Sequence, residues 1–555
     1  MNDARELTIE VAGMTCDHCE RSVAKALQSV PGVHQVLEVS HADARARVRA
    51  GPEATADRIE SAVEKAGYRA QVKSQAKGSG APDVIARGNA EFDLVIVGGG
   101  SAGFAAAIKA GDLGARVAMA EGGTLGGTCV NVGCVPSKTL IRAAEAQHRR
   151  VHHGFHGIPK TDGQPDWPTV RAEKDTLVAE LRQTRYWDVL HAYPSITLVE
   201  ERAVLASARQ VQFASGRTVT AGKIVVTTGA SPWAPPIPGL VETGYLDSAS
   251  AMALERLPES LIVIGASAVG LELAQMFARL GARVTVLEAL PSVVPAEDSD
   301  IGNALGDFLR SEGLDVHTDI QIDRVSRGRD GYAVQYRAGR EARIARAGQL
   351  LVATGRRANT AGFGLEGIGV TLGKKGEIVV NEFLQTTNPD VYAAGDVLGD
   401  PMFVYVAAYG GALAAENALT GNGRRYDLSA LPKVTFTDPA VASAGLTADQ
   451  ARTQGIEPLA STLPLEYVPR ALAARDTRGF VKLIADAATR KIIGAHIIAA
   501  EAGEMITEPA LAIKFGLTIE DLTSTFHPYL TLSEGIKLAA QTFTKDVAKL
   551  SCCAA

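Results

Sequence analysis

Several features are scarce or absent in this sequence, and each absence excludes a class of protein. No apolar run reaches the roughly 20 residues that cross a bilayer, so we expect no membrane insertion. The opening residues, MNDARELTIE, lack the basic and apolar regions of a secretory signal, which predicts a cytoplasmic protein. The formal net charge of −6 provides no basic field, so we expect no nucleic-acid partner.

Cysteine is also scarce, at 6 residues in a chain of 555. The cysteines form three close pairs: Cys16/Cys19, Cys129/Cys134 and Cys552/Cys553. In a reducing compartment such residues bind metals or take part in catalysis more often than they form structural disulfides. The pairing therefore predicts thiol chemistry that is organised in couples.

The length of 555 residues exceeds what one hydrophobic core supports, so three or four domains are expected. In residues 1–72, alternating and helical spacings follow one another in the order βαββαβ, which predicts a ferredoxin-like domain. Residues 73–91 are rich in Lys, Gly, Ser and Ala and have no sustained period, which indicates a flexible linker.

The stretch FDLVIVGGGSAGFAAAIKAGDLGARVAMAE contains a strand, a glycine turn, a helix and a second strand. Gly98, Gly100 and Gly103 form a G-x-G-x-x-G pattern, and Glu121 ends the second strand. The glycines let the backbone approach a pyrophosphate at the helix N-terminus, and the glutamate can accept from ribose hydroxyls. The alternative is a glycine turn with only a structural role.

A second such unit, SLIVIGASAVGLELAQMFARLGARVTVLE, carries Gly265, Ser267, Gly270 and Glu288. An acid at position 288 suits the 2′-hydroxyl of NADH and would repel the 2′-phosphate of NADPH. A plain βαβ packing unit is the alternative. From about Leu431 the pattern changes to one typical of an α+β domain with an antiparallel sheet.

The stretch GGTCVNVGCVPSK follows the first glycine unit directly. Four residues separate Cys129 from Cys134 at the start of a helix, a spacing that lets the two sulfurs meet. A helix N-terminus also lowers the pKa of a thiol.

Together with TTGASP, ATGRRAN and YAAGD, these stretches resemble the flavin disulfide oxidoreductases from Phe92 to the C-terminus. The resemblance implies bound FAD, a nicotinamide cofactor and a homodimer. It also implies two Rossmann-like domains and a dimerisation domain. Their expected bounds are 92–235 and 361–430 for the FAD and central domain, 236–360 for the NAD(P) domain, and 431–555 for the dimerisation domain.

The resemblance also implies roles for individual residues. Cys129 and Cys134 match a redox-active disulfide, with Cys129 as the exchange thiol and Cys134 against the flavin. Lys138 and Glu272 match an ion pair beside the reactive ring, and Asp396 matches a contact to the ribityl chain. The residues expected at the cofactors are Gly98, Gly100, Ser101, Ala102, Gly103, Glu121, Gly127, Thr128, Lys138, Thr228, Gly229, Gly265, Ser267, Gly270, Glu288, Gly355 and Asp396.

The disulfide-reducing members carry an H-P-T-x-S-E stretch whose histidine moves protons to a thiol. This chain has FHPYLTLSEG, in which the spacing from His527 to Glu534 is two residues longer. A general-base role for His527 is therefore doubtful. A metal ion held by thiolates needs no such proton transfer.

The N-terminal GMTCDHC places Cys16 and Cys19 in a loop before the first helix, where two thiolates could hold a soft ion. A structural zinc ion would need four ligands, and His18 is the one further candidate nearby. A surface redox pair is the alternative. The segment resembles the heavy-metal-associated domains.

The whole combination resembles the family of mercuric reductases. That resemblance implies reduction of Hg(II) to volatile mercury, with the ion arriving as thiol complexes or from a mercury transport protein. It implies that Cys552 and Cys553 of one subunit pass Hg(II) to Cys129 and Cys134 of the other, and that Tyr186 and the partner subunit's Tyr529 lie near the metal. The family suggests NADPH, whereas Glu288 suggests NADH.

Two other functions stay open at this point. One is a disulfide reductase that resembles dihydrolipoamide dehydrogenase or glutathione reductase and carries a metal-binding domain. The other is a metal sequestration and delivery protein with a remnant flavin core, which the intact Cys129/Cys134 pair and both glycine units disfavour. A frayed tail with incidental cysteines is the alternative for Cys552 and Cys553.

Overall fold

A computed structural model describes residues 5–14, 17–41, 44–51, 53–73, 89–161 and 163–549. The chain divides into two compact units, Met1–Ala86 and Arg87–Ala555. Within the described ranges, none of the helices combines the length and the apolar character that a membrane crossing requires.

The first unit is a four-stranded antiparallel sheet with two helices. Its elements are β1 (Arg5–Ala12), α1 (Asp17–Gln28), β2 (Val33–Ser40), β3 (Arg45–Ala50), α2 (Ala56–Lys65) and β4 (Arg69–Lys73). The strand order is β2-β3-β1-β4. Side chains alternate along β3, with Val48 buried and Arg47 exposed, so one sheet face packs on the helices. The predicted βαββαβ order is confirmed.

The second unit contains all the remaining elements. Its strands are β5 (Phe92–Val97), β6 (Val117–Ala120), β7 (Ile196–Val199), β8 (Ala203–Ser207), β9 (Gln210–Phe213), β10 (Thr218–Val226), β11 (Ala230–Pro232), β12 (Ser260–Ile264), β13 (Arg283–Leu287), β14 (Asp315–His317), β15 (Ile320–Gly328), β16 (Gly331–Ala338), β17 (Glu341–Ala347), β18 (Gln349–Val352), β19 (Arg356–Ala358), β20 (Val391–Ala393), β21 (Pro432–Thr435), β22 (Ala440–Gly445), β23 (Pro458–Pro464), β24 (Phe480–Asp486) and β25 (Ile492–Ala499).

Its α-helices vary in length from single turns to more than four turns. They are α3 (Ser101–Asp112), α4 (Gly127–Val132), α5 (Cys134–Arg149), α6 (Trp167–Arg182), α7 (Asp188–His191), α8 (Leu240–Thr243), α9 (Ser248–Met252), α10 (Ala268–Arg279), α11 (Ser299–Ser311), α12 (Val404–Thr420), α13 (Ala448–Thr453), α14 (Pro469–Ala474), α15 (Ala502–Met505), α16 (Thr507–Phe515), α17 (Ile519–Ser524) and α18 (Glu534–Gln541). A π-helical turn, Gln183–Trp187, joins α6 to α7.

The first sheet of this unit is parallel at its centre. The strands β7, β6, β5 and β10 lie side by side in that order, and β20 pairs with the C-terminal half of β10. The antiparallel hairpin β8–β9 pairs with the N-terminal half of β10. Because β5 is buried on both faces, its sequence is a continuous apolar run rather than an alternating one.

The second sheet repeats this design on a smaller scale. Its parallel order is β14-β13-β12-β18, and a separate antiparallel sheet, β15-β16-β17, accompanies it. In both parallel sheets the glycine turn follows the first strand, so both turns lie at the carboxyl edge, where ligands of such sheets bind.

The third sheet is antiparallel, in the order β21-β22-β25-β24-β23. The helices α15, α16 and α18 pack on it, and the packed side chains include Ile497, Met505 and Ile536. The α+β architecture expected beyond Leu431 is confirmed.

Candidate functional site

The turn between β5 and α3 is built to bring backbone amides to a ligand. A Cβ atom on Gly103 would lie 1.8 Å from the Gly98 carbonyl oxygen, so only glycine allows the helix to pack this close to the turn. Helix α3 begins at Ser101 without a side-chain cap. Its first N–H groups are therefore available to an anion such as a pyrophosphate.

The carboxylate of Glu121 is fixed at the end of β6. Its Oε2 accepts from the Gly99 N–H at 2.7 Å, and its Oε1 accepts from the Gly123 N–H at 2.6 Å. A carboxylate oxygen can accept more than one hydrogen bond, so Glu121 can also receive ribose hydroxyls.

A cavity of about 860 Å³ extends from this turn to the cysteine pair. This volume lies within the range of small-molecule and cofactor sites. The expected site residues that line the cavity are Gly98, Gly100, Ser101, Ala102, Glu121, Gly127, Thr128, Cys129, Cys134, Lys138, Thr228, Gly229, Glu272 and Asp396. Gly103 lies behind the turn, where it contacts Gly98.

Arg356 gives an independent indication that the cavity suits an anionic cofactor. Its Nε is buried and has no hydrogen-bond partner among the described residues, and Asp396 Oδ2 lies 4.0 Å away. Burial lowers the pKa of Arg356 and raises the pKa of Asp396. A dinucleotide such as FAD fits these groups: the Arg356 Nε–H, the first N–H groups of α3 and the Glu121 carboxylate.

The structure brings Cys129 and Cys134 together as thiols. Cys129 lies in α4, and Cys134 is the first residue of α5. The hydrogen bond from Cys129 and the charge of Lys138 lower the pKa of Cys134 to about 7, although burial opposes them. The same hydrogen bond, together with burial, raises the pKa of Cys129. Cys134 is therefore the thiolate of the pair.

The expected ion pair next to the thiols is present. Lys138 Nζ lies 2.6 Å from Glu272 Oε2, and the Glu272 side chain is only 5% exposed. The other oxygen, Oε1, accepts from the Phe436 N–H at 2.9 Å, and the Phe436 ring lies 4.6 Å from Lys138 Nζ. The pair is thus held by α5, α10 and the segment after β21.

The segment Phe436–Asp438 is itself clamped to α10. Glu272, Gln275 and Arg279 recur at helical spacing and contact this segment from one face of the helix. Arg279 Nη1 lies 2.9 Å from Asp438 Oδ2, and Arg478 Nη2 lies 2.9 Å from Asp438 Oδ1. We call Gln275, Arg279, Glu312, Asp438, Asp476 and Arg478 the Asp438 cluster.

Two tyrosines lie near the thiols. Burial raises the pKa of Tyr186, and the charges of Cys129 and Cys134 act in the same direction. Its ring packs on Phe104, with 4.7 Å between the centroids. Burial also raises the pKa of Tyr405 to about 12, and the charge of Cys134 contributes to this rise.

The turn between β12 and α10 repeats the geometry of the first glycine turn. A Cβ on Gly270 would lie 2.0 Å from the Gly265 oxygen, and Ser267 precedes α10 without forming a side-chain cap. Glu288 directly follows β13, and Gly355 lies between β18 and β19 with a φ of 109°. These residues are not among those that line the large cavity, so the second glycine turn lies outside it.

His527 pairs with Glu508, not with Glu534. The ring Nε2 lies 2.7 Å from Glu508 Oε1, and Nδ1 lies 3.1 Å from the Thr525 carbonyl oxygen. Both partners are acceptors, and the Glu508 hydrogen bond favours the protonated ring and raises the pKa of His527. The protonated form of an imidazole has no lone pair with which to act as a base. Tyr529 follows in the next turn and is 56% exposed.

Of the metal-binding cysteines predicted outside the Cys129/Cys134 pair, only Cys19 lies among the described residues. Cys19 lies in the first turn of α1, so its placement in the loop before that helix was wrong. Cys16, Cys552 and Cys553 lie outside the described residues. Within the described ranges, no group of three or more His, Cys, Asp or Glu side chains could hold a metal ion.

Four features of the site were missed by sequence reasoning: Arg356, Tyr405, the Glu508 partner of His527, and the Asp438 cluster. Arg356 stands inside the recognised ATGRRAN stretch, next to Gly355, so that stretch could have indicated it. Tyr405 and Asp438 come near Cys134 and Glu272 only through tertiary packing, and no sequence spacing pointed to them.

The strand orders, the two glycine turns and the thiol pair define a dinucleotide-dependent dithiol oxidoreductase. Family models agree: residues 92–411 match the pyridine nucleotide-disulphide oxidoreductases, and residues 431–540 match their dimerisation domain. Residues 8–69 match the heavy-metal-associated domain. The chain belongs to the pyridine nucleotide-disulphide oxidoreductase family.

Its relatives narrow the class further. A mercuric reductase from Staphylococcus aureus is 43% identical over 98% of this chain and 98% of its own length. One from Streptomyces lividans is 49% identical over 83% of this chain and 98% of its own. One from Shigella flexneri is 43% identical over 99% of this chain and 100% of its own.

Solved structures show the same core. The HOCl-induced flavoprotein disulfide reductase RclA from Escherichia coli is 30% identical, with a TM-score of 0.72, over 81% of this chain and 99% of that chain. LpdA from Mycobacterium tuberculosis is 28% identical, with a TM-score of 0.72, over 81% and 99%.

Proposed function

We propose that the protein is an NAD(P)H-dependent flavoenzyme that reduces Hg(II) to volatile elemental mercury and so detoxifies mercury. The observation that carries the proposal is the low-pKa thiol Cys134 beside Cys129 and the Lys138–Glu272 pair, on a chain that also has a heavy-metal-associated domain. The full-length similarity to mercuric reductases supports the same substrate.

The residues that line the large cavity suit FAD. The α3 N-terminus would hold the pyrophosphate, Glu121 the adenosine ribose, and Asp396 with Arg356 the part of the cofactor near the thiols. The chemistry that FAD supplies when bound is the passage of two electrons from the reduced nicotinamide to the metal. Lys138, held by Glu272, places a positive charge next to Cys134.

The cysteines would hold the substrate. The Cys134 thiolate, present at neutral pH, can take the proton of Cys129, so that Cys129, the expected exchange thiol, displaces a thiolate ligand from an incoming Hg(II) complex. Cys134 can then lose that proton and replace the second ligand, so that the ion exchanges one Hg–S bond for another and is never released. Thiolate sulfur is the ligand that soft ions prefer. Reduction to the neutral atom removes that affinity, and the metal leaves.

The finer parts of the proposal concern the assembly. We infer a cytoplasmic homodimer in which Cys552 and Cys553 of one subunit pass Hg(II) to the Cys129 and Cys134 of the other. Tyr186 and the partner subunit's Tyr529 would lie near the metal. Cys16 and Cys19 would capture Hg(II) from thiol complexes or from a transport protein. We propose the same domain bounds that the sequence predicts.

A disulfide reductase with an added metal-binding domain is the second candidate, since flavoprotein disulfide reductases share the fold. Such an enzyme needs a base to serve the thiol leaving group. His527 is poorly suited to that task, because Glu508 and the Thr525 carbonyl occupy both ring nitrogens and its ring is only 3% exposed.

The test compares the two substrates on one preparation of holoenzyme. Nicotinamide oxidation is followed with Hg(II) in excess low-molecular-weight thiol, and separately with glutathione disulfide or lipoamide. We expect rapid oxidation with loss of mercury as vapour in the first case and little turnover in the second. The reverse result would establish the disulfide reductase instead.

A further inference from the structure

We propose that NADH, not NADPH, is the preferred electron donor, and that Glu288 makes this distinction. The inference rests on the proposed function only in requiring that a nicotinamide nucleotide reduce the enzyme. The second glycine turn and the acid at the end of the following strand together form the adenosine-ribose end of a dinucleotide site.

The Glu288 carboxylate is held in one position by the backbone. Its Oε2 accepts from the Ala266 N–H at 2.6 Å, inside the glycine turn, and its Oε1 accepts from the Leu290 N–H at 2.8 Å. Its side chain is buried, with only 8% of the residue exposed. An acid fixed in this way cannot swing aside to make room for a phosphate.

The hydrogen-bond partners of Glu288 are backbone amides, not cationic side chains. No salt bridge to Glu288 occurs in the described part of the chain, in which positions 288–320 are complete. A carboxylate without a salt-bridge partner accepts hydrogen bonds well from the 2′- and 3′-hydroxyls of the adenosine ribose of NADH. It repels a 2′-phosphate, which carries up to two negative charges.

The neighbouring segments also lack the cations that a 2′-phosphate needs. Residues 289–298, ALPSVVPAED, contain two acids and no Lys or Arg. On the adjacent strand β14, the His317 ring is paired with Asp315 at 2.9 Å. The Asp319 N–H donates to the Leu290 carbonyl, which brings one more acidic residue to this edge. Phosphate recognition relies on Arg or Lys donors, so these surroundings favour the free hydroxyl.

Equilibrium binding tests the proposal without any turnover. The FAD-loaded protein is titrated calorimetrically with NAD⁺ and with NADP⁺ at fixed ionic strength. The rate of flavin reduction by NADH and by NADPH is then measured anaerobically by stopped flow. We expect both measurements to favour the nucleotide without the 2′-phosphate by roughly tenfold or more, because like charges placed side by side weaken binding strongly. Equal or tighter binding of NADP⁺ would overturn the proposal.

Two variants assign the preference to Glu288. Glu288→Gln should lower the ratio of the flavin-reduction rate with NADH to that with NADPH by at least about fivefold, since it removes the negative charge. Because the carboxylate also holds backbone amides, a second variant uses the exposed position 290. Leu290→Arg should improve NADPH use several-fold and leave NADH use nearly unchanged, with Leu290→Gln as the uncharged control. If neither Glu288→Gln nor Leu290→Arg changed the ratio of NADH use to NADPH use, the role of Glu288 would be refuted.

These measurements need no mercury. If the enzyme fails to reduce Hg(II) but still prefers NADH, the proposed function fails and this inference stands. If it reduces Hg(II) equally well with both nucleotides, the inference fails and the proposed function stands.

Discussion

At the scale of single residues, the reactivity of the site depends on how two thiols share one proton. Cys134 is stabilised as the thiolate because Cys129 donates a hydrogen bond to it and Lys138 lies nearby. Cys129 keeps its proton for the same reason. The Cys134 thiolate can therefore serve as the base that deprotonates Cys129 when Cys129 exchanges with an incoming ligand.

The first prediction concerns the pKa of Cys134. Alkylation of the reduced protein by iodoacetamide, followed by mass spectrometry of the Cys134 peptide, should show a midpoint near pH 7. Cys129→Ala removes the donor and should move that midpoint up, towards the ordinary thiol value of about 8.5.

Cys129→Ser is the matched control, because its hydroxyl can still donate to the thiolate. It should keep most of the lowered midpoint. Identical midpoints in the Ala and Ser variants would show that the hydrogen bond from Cys129 does not set the reactivity of Cys134.

The second prediction concerns the His527–Glu508 pair. The pKa of His527 in the folded protein is raised above its value in the unfolded chain. The pair therefore stabilises the protein fully below about pH 6.5. This contribution is lost as the pH rises through the folded-state pKa of His527. Glu508→Gln should therefore destabilise the fold at pH 6, by about 1 kcal/mol for a partly exposed pair, and much less at pH 9.

Thermal unfolding at the two pH values checks this prediction. Glu534→Gln is the control, since Glu534 is the partner that sequence spacing would suggest. It should show no comparable pH dependence. If the loss in Glu508→Gln were the same at pH 6 and pH 9, protonated His527 would not be the group that Glu508 holds.

The partner of His527 also illustrates what residue patterns leave out. The sequence indicated correctly that the usual dyad spacing is broken, but Glu508 lies 19 positions upstream on α16. A local motif cannot identify a partner that is brought in by another helix.

At the scale of elements, helix α10 connects the two sites. Its N-terminus follows the second glycine turn, Glu272 lies beside the thiols, and Gln275 and Arg279 hold the Phe436–Asp438 segment. This helix is buried on most of its surface, so the contacts are fixed by packing on several sides. The Asp438 cluster thereby joins the second parallel sheet to the antiparallel one.

The third prediction tests this joint. Asp438→Asn leaves Arg279, which is 5% exposed, without one of its two carboxylate partners. We expect a loss of roughly 3 kcal/mol, because breaking a buried pair leaves an uncompensated charge. Differential scanning calorimetry of the holoenzyme should show a clearly lower unfolding temperature.

Asp476→Asn is the matched control, because among the described residues Asp476 forms a salt bridge with Arg478 and not with Arg279. Its effect should be distinctly smaller. Equal losses in the two variants would indicate that the cluster acts as a general charged surface and not as a clamp on the Phe436–Asp438 segment.

The elements themselves were largely predictable from the sequence. The βαββαβ order and the two glycine-turn units follow from periodicity and turn residues within about 30 positions, and both are confirmed. The contact between Phe436 and Glu272 spans 164 positions, and no periodicity encodes it. The ATGRRAN stretch could have indicated Arg356 as a residue of interest, but its contact with Thr128 spans 228 positions and comes only from the folded chain.

At the scale of the whole molecule, the account is a transfer of one soft ion between cysteine pairs towards a reduced cofactor. The chain carries each pair in a different part: a heavy-metal-associated domain, the dithiol core and the C-terminal residues. Transfer between pairs needs thiolate ligands at every stage, so removing the N-terminal or the C-terminal pair should slow the delivery of Hg(II) without changing the reduction of the cofactor.

The fourth prediction follows for the C-terminal pair. Replacing Cys552 and Cys553 by Ala should slow turnover of Hg(II) bound to bulky thiols much more than it slows flavin reduction by the nicotinamide. Stopped-flow absorbance separates the two rates, and Ser551→Ala serves as the control. Unchanged turnover with bulky complexes would remove the tail from the mechanism.

The yield of mercury vapour per nicotinamide oxidised tests the central claim most directly. The holoenzyme is given a limiting amount of NADH under anaerobic conditions, with Hg(II) in excess thiol, and the vapour is trapped and quantified. Two-electron reduction at the Cys129/Cys134 pair predicts one mercury atom for each NADH consumed. Consumption of NADH without mercury vapour, under conditions in which a small disulfide is reduced instead, would contradict the account.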